Sequence, residues 1–398
     1  MTLPSFTFTG NGEQDAENLT KVLVKIESTD PGTYETGMEQ FITSLLIKAG
    51  CTVYTQEVLP GRRNLMAELT GSSADAPALV FICHMDTVVA GDGWTMQPFA
   101  AIEKDGNIYG RGSCDMKSGL ACALTAFLST ASTQTFMHTR PKHTLRFIAS
   151  VDEEDFMRGS DIIAESDWIT DKDYILDTEP TDGCIENAHK GRQWFEIEIN
   201  GITAHASTPE QGADAVAGIA ETICSIYKSI AALPSDPYMG KTTVTFGQIT
   251  GGYRPYVVPD KAKVWIDMRI VPPFTPKSAE AVVISAIQNA EQAVPGIKGT
   301  YTITGSRPGI APDSSSPLLS LLLESTKEIC GTSAEIKVFP GYTDTAVIAG
   351  RTGNRNCMSY GPGKLIKAHK PDEYVAVADI HRVYCVLKKL IQKYIMPI

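Results

Sequence analysis

The chain has 398 residues, 43% hydrophobic and 20% charged, which gives apolar material for two cores and excludes wholesale disorder. Its net charge of -11 excludes the basic footprint that sequence-independent nucleic-acid binding requires. No apolar run is long enough to span a bilayer, the N-terminal segment lacks the basic and apolar regions of a secretory signal, and the nine scattered cysteines form no Cys-x-x-Cys pair, so a cytoplasmic protein with free thiols is expected, without membrane or nucleic-acid partners.

In chain order, residues 13–29 and 36–49 read as helices, 78–83 as a buried strand, 119–128 as a helix after a glycine-containing turn, and 145–151 and 174–176 as buried strands. This alternation predicts an α/β domain with helices on both faces of a sheet. The character changes after His189-Lys190-Gly191. In 194–200 the residues Phe195, Ile197 and Ile199 alternate with Glu196 and Glu198, a strand with one wet face. A helix over 213–232, strands over 242–250 and 261–270, a helix over 277–292 and a strand over 299–304 complete a β-α-β-β-α-β set. Beyond Arg307-Pro308 the α/β alternation returns. The expected organisation is a discontinuous catalytic domain, 1–190 and 306–398, interrupted by an inserted domain at 191–305.

Five segments carry chemistry. His84-Met85-Asp86 closes a strand, and residues i and i+2 of a strand face the same way. His84 can bind a metal while the Asp86 carboxylate orients its ring. Gly110-Arg111-Gly112-Ser113-Cys114-Asp115 enters a helix, where Asp115 is an N-cap on the plain structural reading and a metal ligand on the other. Asp152-Glu153-Glu154-Asp155 leaves a buried strand as four adjacent carboxylates, either an exposed acidic loop or a cation site that offsets their repulsion. Asp177-Thr178-Glu179-Pro180-Thr181 follows another strand. The last is Gly361-Pro362-Gly363 with Ala368-His369-Lys370-Pro371-Asp372-Glu373-Tyr374; its glycines do not follow the phosphate-binding loop pattern, which removes a nucleotide site. All five fall at or after the carboxyl ends of predicted strands, where open α/β sheets place their sites. Two histidines and several carboxylates suit zinc or a similar divalent ion, and a metal pair needs a bridging carboxylate, for which Asp115 is suited.

These motifs, in this order and spacing, resemble the dimetal family of aminoacylases, deacetylases and G-type carboxypeptidases; GPGKLIKAHKPDEY is most similar to acetylornithine deacetylases and succinyl-diaminopimelate desuccinylases. The resemblance runs over almost the whole chain. It implies two divalent ions per chain, zinc first and cobalt or manganese as alternatives, and a homodimer formed through the inserted lid domain. It implies His84 and Glu179 on one metal, Glu154 and His369 on the other, Asp115 on both, Glu153 as general base and Asp86 as the orienting residue. Asp177 competes with Glu179. His205 would donate to the oxyanion in the partner subunit's site. Arg269 would pair with a substrate carboxylate, or on the plain reading with Asp267. Tyr256, Thr343 and Gly341 fall at substrate-side positions. Tyr256 stands where many relatives carry asparagine and Tyr342 where glycine is usual; with Arg254 nearby, they imply a reshaped pocket. The histidines at 138, 143, 189 and 381 match no motif. The expected reaction is amide hydrolysis of an N-acyl amino acid or small peptide-like substrate, with a metallocarboxypeptidase or dipeptidase as the alternative. A non-catalytic binding protein of this fold would be expected to have lost Glu153 or a ligand, and none is missing.

Overall fold

A computed structural model describes residues 4–73, 75–137 and 140–395. The chain divides into two compact units, one of residues 1–187, 312–339 and 343–398, the other of 188–311 and 340–342. Residues 188–190 and 306–311 thus group with the inserted unit rather than with the flanking one. The reason is local pairing: His189 and Ile310 exchange backbone hydrogen bonds of 3.0 and 2.8 Å, and the last strand of the inserted unit runs on to Arg307.

The first unit is built on an eight-stranded sheet. Its centre is three parallel neighbours, Tyr174–Asp177, Leu79–His84 and Leu145–Ser150. Every residue of Leu79–His84 is buried, as expected of a parallel strand covered on both faces. Leu79, Phe81 and Cys83 join one apolar core with Leu120 and Phe127 of the helix Lys117–Met137 and with Val383 and Leu387 of the helix Val377–Tyr394. Val80, Ile82 and His84 alternate onto the other side. That side belongs to the helix Asp344–Thr352, which packs on Leu79–His84 and Tyr174–Asp177. The hairpin Val53–Leu59 and Arg62–Leu69 extends the sheet antiparallel beyond Leu145–Ser150. The first helix stops at Val24, earlier than the pattern predicts, because Thr29–Asp30 pairs as a short strand with Thr87–Val88. Among the described residues no helix is long and apolar enough to cross a membrane.

The second unit has the expected β-α-β-β-α-β order. Its four strands lie in the order Thr243–Gly251, Lys261–Ile270, Gly191–Asn200, Lys298–Arg307, with antiparallel neighbours throughout. Phe195, Ile197 and Ile199 are buried against Val264, Ile266 and the helices Ala215–Ala231 and Pro276–Ala293. Each such side chain contributes about 1.5–3 kcal/mol of burial. On the opposite face Glu196 and Glu198 meet Lys263 at 2.5 and 2.9 Å.

Candidate metal centre

Three parallel strands end at one edge of the first unit's sheet, and each releases ionisable side chains there. His84 closes its strand in register with Ser150, beyond which come Glu153 and Glu154. Asp177 closes the third strand, with Glu179 two residues on. His84 Nδ1 lies 2.9 Å from the backbone carbonyl of Asp86. A carbonyl only accepts, so in the neutral ring Nδ1 carries the proton and Nε2 presents its lone pair. The ring is therefore oriented by the main chain of Asp86; its carboxylate stands 3.8 Å off, and Oδ2 instead accepts the N–H of Glu154 at 3.0 Å. Asp86 thus joins the His84 strand end to the acidic loop.

Asp115 faces two imidazoles at once. Oδ1 is 3.2 Å from His84 Nε2, and Oδ2 is 3.3 Å from His369 Nε2. Glu179 Oε1 lies 3.6 Å from His84 Nε2, and Glu154 Oε2 lies 2.9 Å from His369 Nε2. His84, Asp115 and Glu154 present ligand atoms within 4.8 Å of one another, as do His84, Glu153 and Glu179. Asp177 turns away from this group and accepts a 2.6 Å hydrogen bond from Thr345 Oγ1. Glu179 is seated by two close approaches of glycine: a Cβ at Gly119 would stand 2.1 Å from the Thr178 carbonyl, and one at Gly361 would stand 2.1 Å from it as well.

The electrostatics of the group call for a cation. Burial, then the neighbouring carboxylates, pushes Glu153 and Glu179 well above the usual carboxylate range. Hydrogen bonds that the Asp115 and Glu154 carboxylates accept from its ring lift His369 to about 11. Like-charged carboxylates in a buried space are costly unless compensated. Imidazole nitrogens combined with carboxylate oxygens form a donor set that fits zinc and similar divalent ions.

The acidic loop is fastened from behind. Arg62 Nε donates to Glu35 at 2.8 Å, Nη2 donates to Asp30 at 2.6 Å, and Nη1 lies 3.2 Å from Asp152. The Asp152 N–H in turn donates to Glu35 at 3.2 Å. Asp152 and His369 both take left-handed backbone angles, φ 69° and 62°, a conformation costing about 1 kcal/mol or more per residue. The sequence reading assigns no part to Arg62 and Glu35, and only their buried pairing reveals it. Asp344, next to Thr343, accepts hydrogen bonds from Ser150 and Ser160 beside the strand end that leads to Glu153.

The substrate-side positions are held as follows. Thr343 is buried and caps the helix Asp344–Thr352. Gly341 precedes Tyr342, whose buried ring meets His189 edge-on at 6.3 Å. In the second unit, Arg269 donates to Asp267 through Nε and Nη2, at 3.2 and 3.0 Å, which is the ion pair of its plain reading. Tyr256 is 60% exposed, and its carbonyl accepts the N–H of Ala206, next to His205. Arg254 is exposed. The N–H of Ser207 donates to His205 Nδ1 at 3.2 Å; an amide only donates, so the neutral ring carries its proton on Nε2. His143 stacks on Tyr394 and His381 pairs with Glu17. His138 lies outside the described residues.

Comparison with known proteins identifies the family. The model of peptidase family M20/M25/M40 matches residues 80–393. Over 392 residues the chain is 26% identical to a probable succinyl-diaminopimelate desuccinylase of Staphylococcus epidermidis, covering 91% of this chain and 93% of that protein. It is 27% identical over 381 residues to an acetylornithine deacetylase of Aliivibrio fischeri, covering 93% and 95%. The crystal structure of a tripeptidase from Staphylococcus aureus shares the fold, with a TM-score of 0.77 at 22% identity, covering 96% and 98% of the two chains. The family expected from the motifs is therefore the family found. The chain belongs to peptidase family M20/M25/M40 and is a hydrolase of that divalent-metal-using family.

Proposed function

We propose that this protein hydrolyses the amide bond of an N-acyl amino acid or short peptide-like substrate, using a pair of divalent ions at the candidate centre. The observation that carries the reading is Asp115, whose two carboxylate oxygens face two different imidazoles at 3.2 and 3.3 Å. His84 and Glu179 would hold one ion, Glu154 and His369 the other, and Asp115 both. Zinc is the first choice, and cobalt and manganese suit the same donors. Such ions, when bound, acidify a water and polarise a scissile carbonyl. Glu153 takes the proton of the attacking water and passes it to the departing amine nitrogen. Its burial, with 8% exposure, keeps bulk water from competing for that proton.

His205 presents an Nε2–H at an exposed position, the donor type that stabilises a developing oxyanion. We assign it that role in the partner's site of a homodimer formed through the inserted domain. Arg269 pairs with the substrate carboxylate, exchanging Asp267 for a bidentate contact. Tyr256, Gly341 and Thr343 shape the substrate space.

Both curated relatives are named for removal of an acyl group, which favours deacylation. A panel of N-acetyl and N-succinyl amino acids, dipeptides and glutamate-terminated amides, with Zn²⁺, Co²⁺ or Mn²⁺ added to metal-free protein, tests the proposal. Metal-dependent turnover of acyl amino acids supports it. Turnover confined to dipeptides or glutamate amides establishes the exopeptidase alternative, and no turnover of any amide refutes both.

A further inference from the structure

Glu373 follows His369 by four residues, yet its carboxylate points at a different loop. Oε1 accepts the N–H of Cys114 at 2.9 Å and the N–H of Asp115 at 3.1 Å. Oε2 meets the guanidinium of Arg111. The backbone carbonyl of Glu373 accepts the N–H of Gly110 at 2.9 Å. One residue therefore makes four contacts to the segment that ends in Asp115. Glu373 is 1% exposed and Arg111 2%. Arg111 is held in turn, donating to the Ala90 carbonyl at 3.1 Å with its guanidinium 5.3 Å from the Trp94 ring centre. A buried carboxylate with a charged partner on one oxygen and two amides on the other is fully used.

Asp115 and His369 come from segments far apart in sequence, and neither lies on a strand of the main sheet. Their carboxylate–imidazole distance of 3.3 Å depends on how the two loops are joined. Glu373 is the joint between them: it shares the main chain of the His369 loop and bonds the main chain of the Asp115 loop. Asp372 fixes its own loop elsewhere, accepting from Thr95 N and Oγ1 at 2.9 and 2.8 Å.

We propose that Glu373 is a positioning residue that sets the separation of Asp115 and His369, and thereby the affinity of the centre for the divalent ion those two residues share. The proposal rests on the metal-centre reading given above. Partners that orient ligands in this way are worth about 10–100-fold in metal affinity.

The test is chelator-competition titration of metal-free protein with Co²⁺, read in the visible spectrum, with thermal unfolding of each metal-free variant measured alongside. Arg111→Met/Glu373→Gln keeps an acceptor for the two amides without an unpaired buried charge. Arg111→Met/Glu373→Met keeps the volume and removes the acceptor. The second double variant should bind the weaker Co²⁺ equivalent about 10–100-fold less tightly than the first. Glu373→Asp keeps the charge beside Arg111 and withdraws the carboxylate by one methylene; it should also bind about 10-fold more weakly, and it decides alone if loss of Arg111 prevents folding. Variants that unfold more easily yet bind Co²⁺ as the wild type does reduce Glu373 to a structural residue and overturn the proposal. A wild-type chain that takes up no Co²⁺ overturns the metal reading itself, a different result from equal binding by all variants.

Discussion

Replacing Arg62 by Met keeps the hydrocarbon stem and removes the charge that fastens the acidic loop. Arg62 is 8% exposed and its three partners are Asp30, Glu35 and Asp152. Asp152 keeps Arg158, whose Nε donates to it at 2.6 Å, so its charge remains compensated. Glu35, 1% exposed, loses its cation and retains the Asp152 N–H. Breaking a buried pair from one side costs about 3–5 kcal/mol. Arg62→Met/Glu35→Gln removes the uncompensated charge of Glu35, leaving that of Asp30, and should recover about 1–3 kcal/mol. Urea unfolding of metal-free wild type, single and double variants measures these differences. A loss below about 1 kcal/mol, or a double variant as damaged as the single one, would refute the view that this ion pair is a buried fastening.

Three further outcomes follow from the same geometry. Glu153→Gln should lower kcat by about 10²–10⁴-fold with both metals retained; loss of metal as well would exchange the roles of Glu153 and Glu154. Arg269→Ala should raise KM for substrates with a free carboxylate and leave their amides little affected, whereas equal loss on both would leave Arg269 as the partner of Asp267 alone. In metal-free protein, burial raises Asp177 to about 6 and Glu186 to about 8, and the Asp115 and Glu154 hydrogen bonds raise His369 to about 11. At these groups the folded state then holds protons that the unfolded chain has released, so the stability they contribute falls as pH rises from about 5 to 8. Thermal unfolding across that range should show the midpoint dropping without metal; a midpoint that rises would contradict this sign.

The candidate metal-side residues stand out in the sequence because they follow strong strands or sit in marked loops: His84 and Glu179 trail apolar runs, and Asp115 and His369 lie among glycines and prolines. The alternation of Phe195, Ile197 and Ile199 with glutamates gave away the inserted unit's sheet. The hairpin Val53–Leu59 and Arg62–Leu69 was not legible, since its first strand is half-exposed and polar and offers no apolar run. The helix Lys117–Met137 extends well past the expected 119–128 because much of it is buried all round, which erases the amphipathic period. Asp86 orients His84 through its carbonyl, a choice that sequence spacing does not distinguish from its carboxylate. Arg62, Glu35, Arg111 and Glu373 are charged residues that a sequence reading leaves on the surface. Their burial becomes reasonable only once each has found its counter-ion, and those partners are brought together by the tertiary fold.

In the proposed centre Asp115 joins two divalent ions, one toward His84 and one toward His369. Its most direct measurement is the metal content of Zn²⁺-reconstituted, desalted wild type and Asp115→Ala by elemental mass spectrometry, with hydrolysis of one N-acyl amino acid followed in the same samples. The active wild type should hold about two ions per chain, and Asp115→Ala fewer than about one, with activity abolished. Full hydrolysis by the metal-free chain, or two ions retained without Asp115, would contradict it.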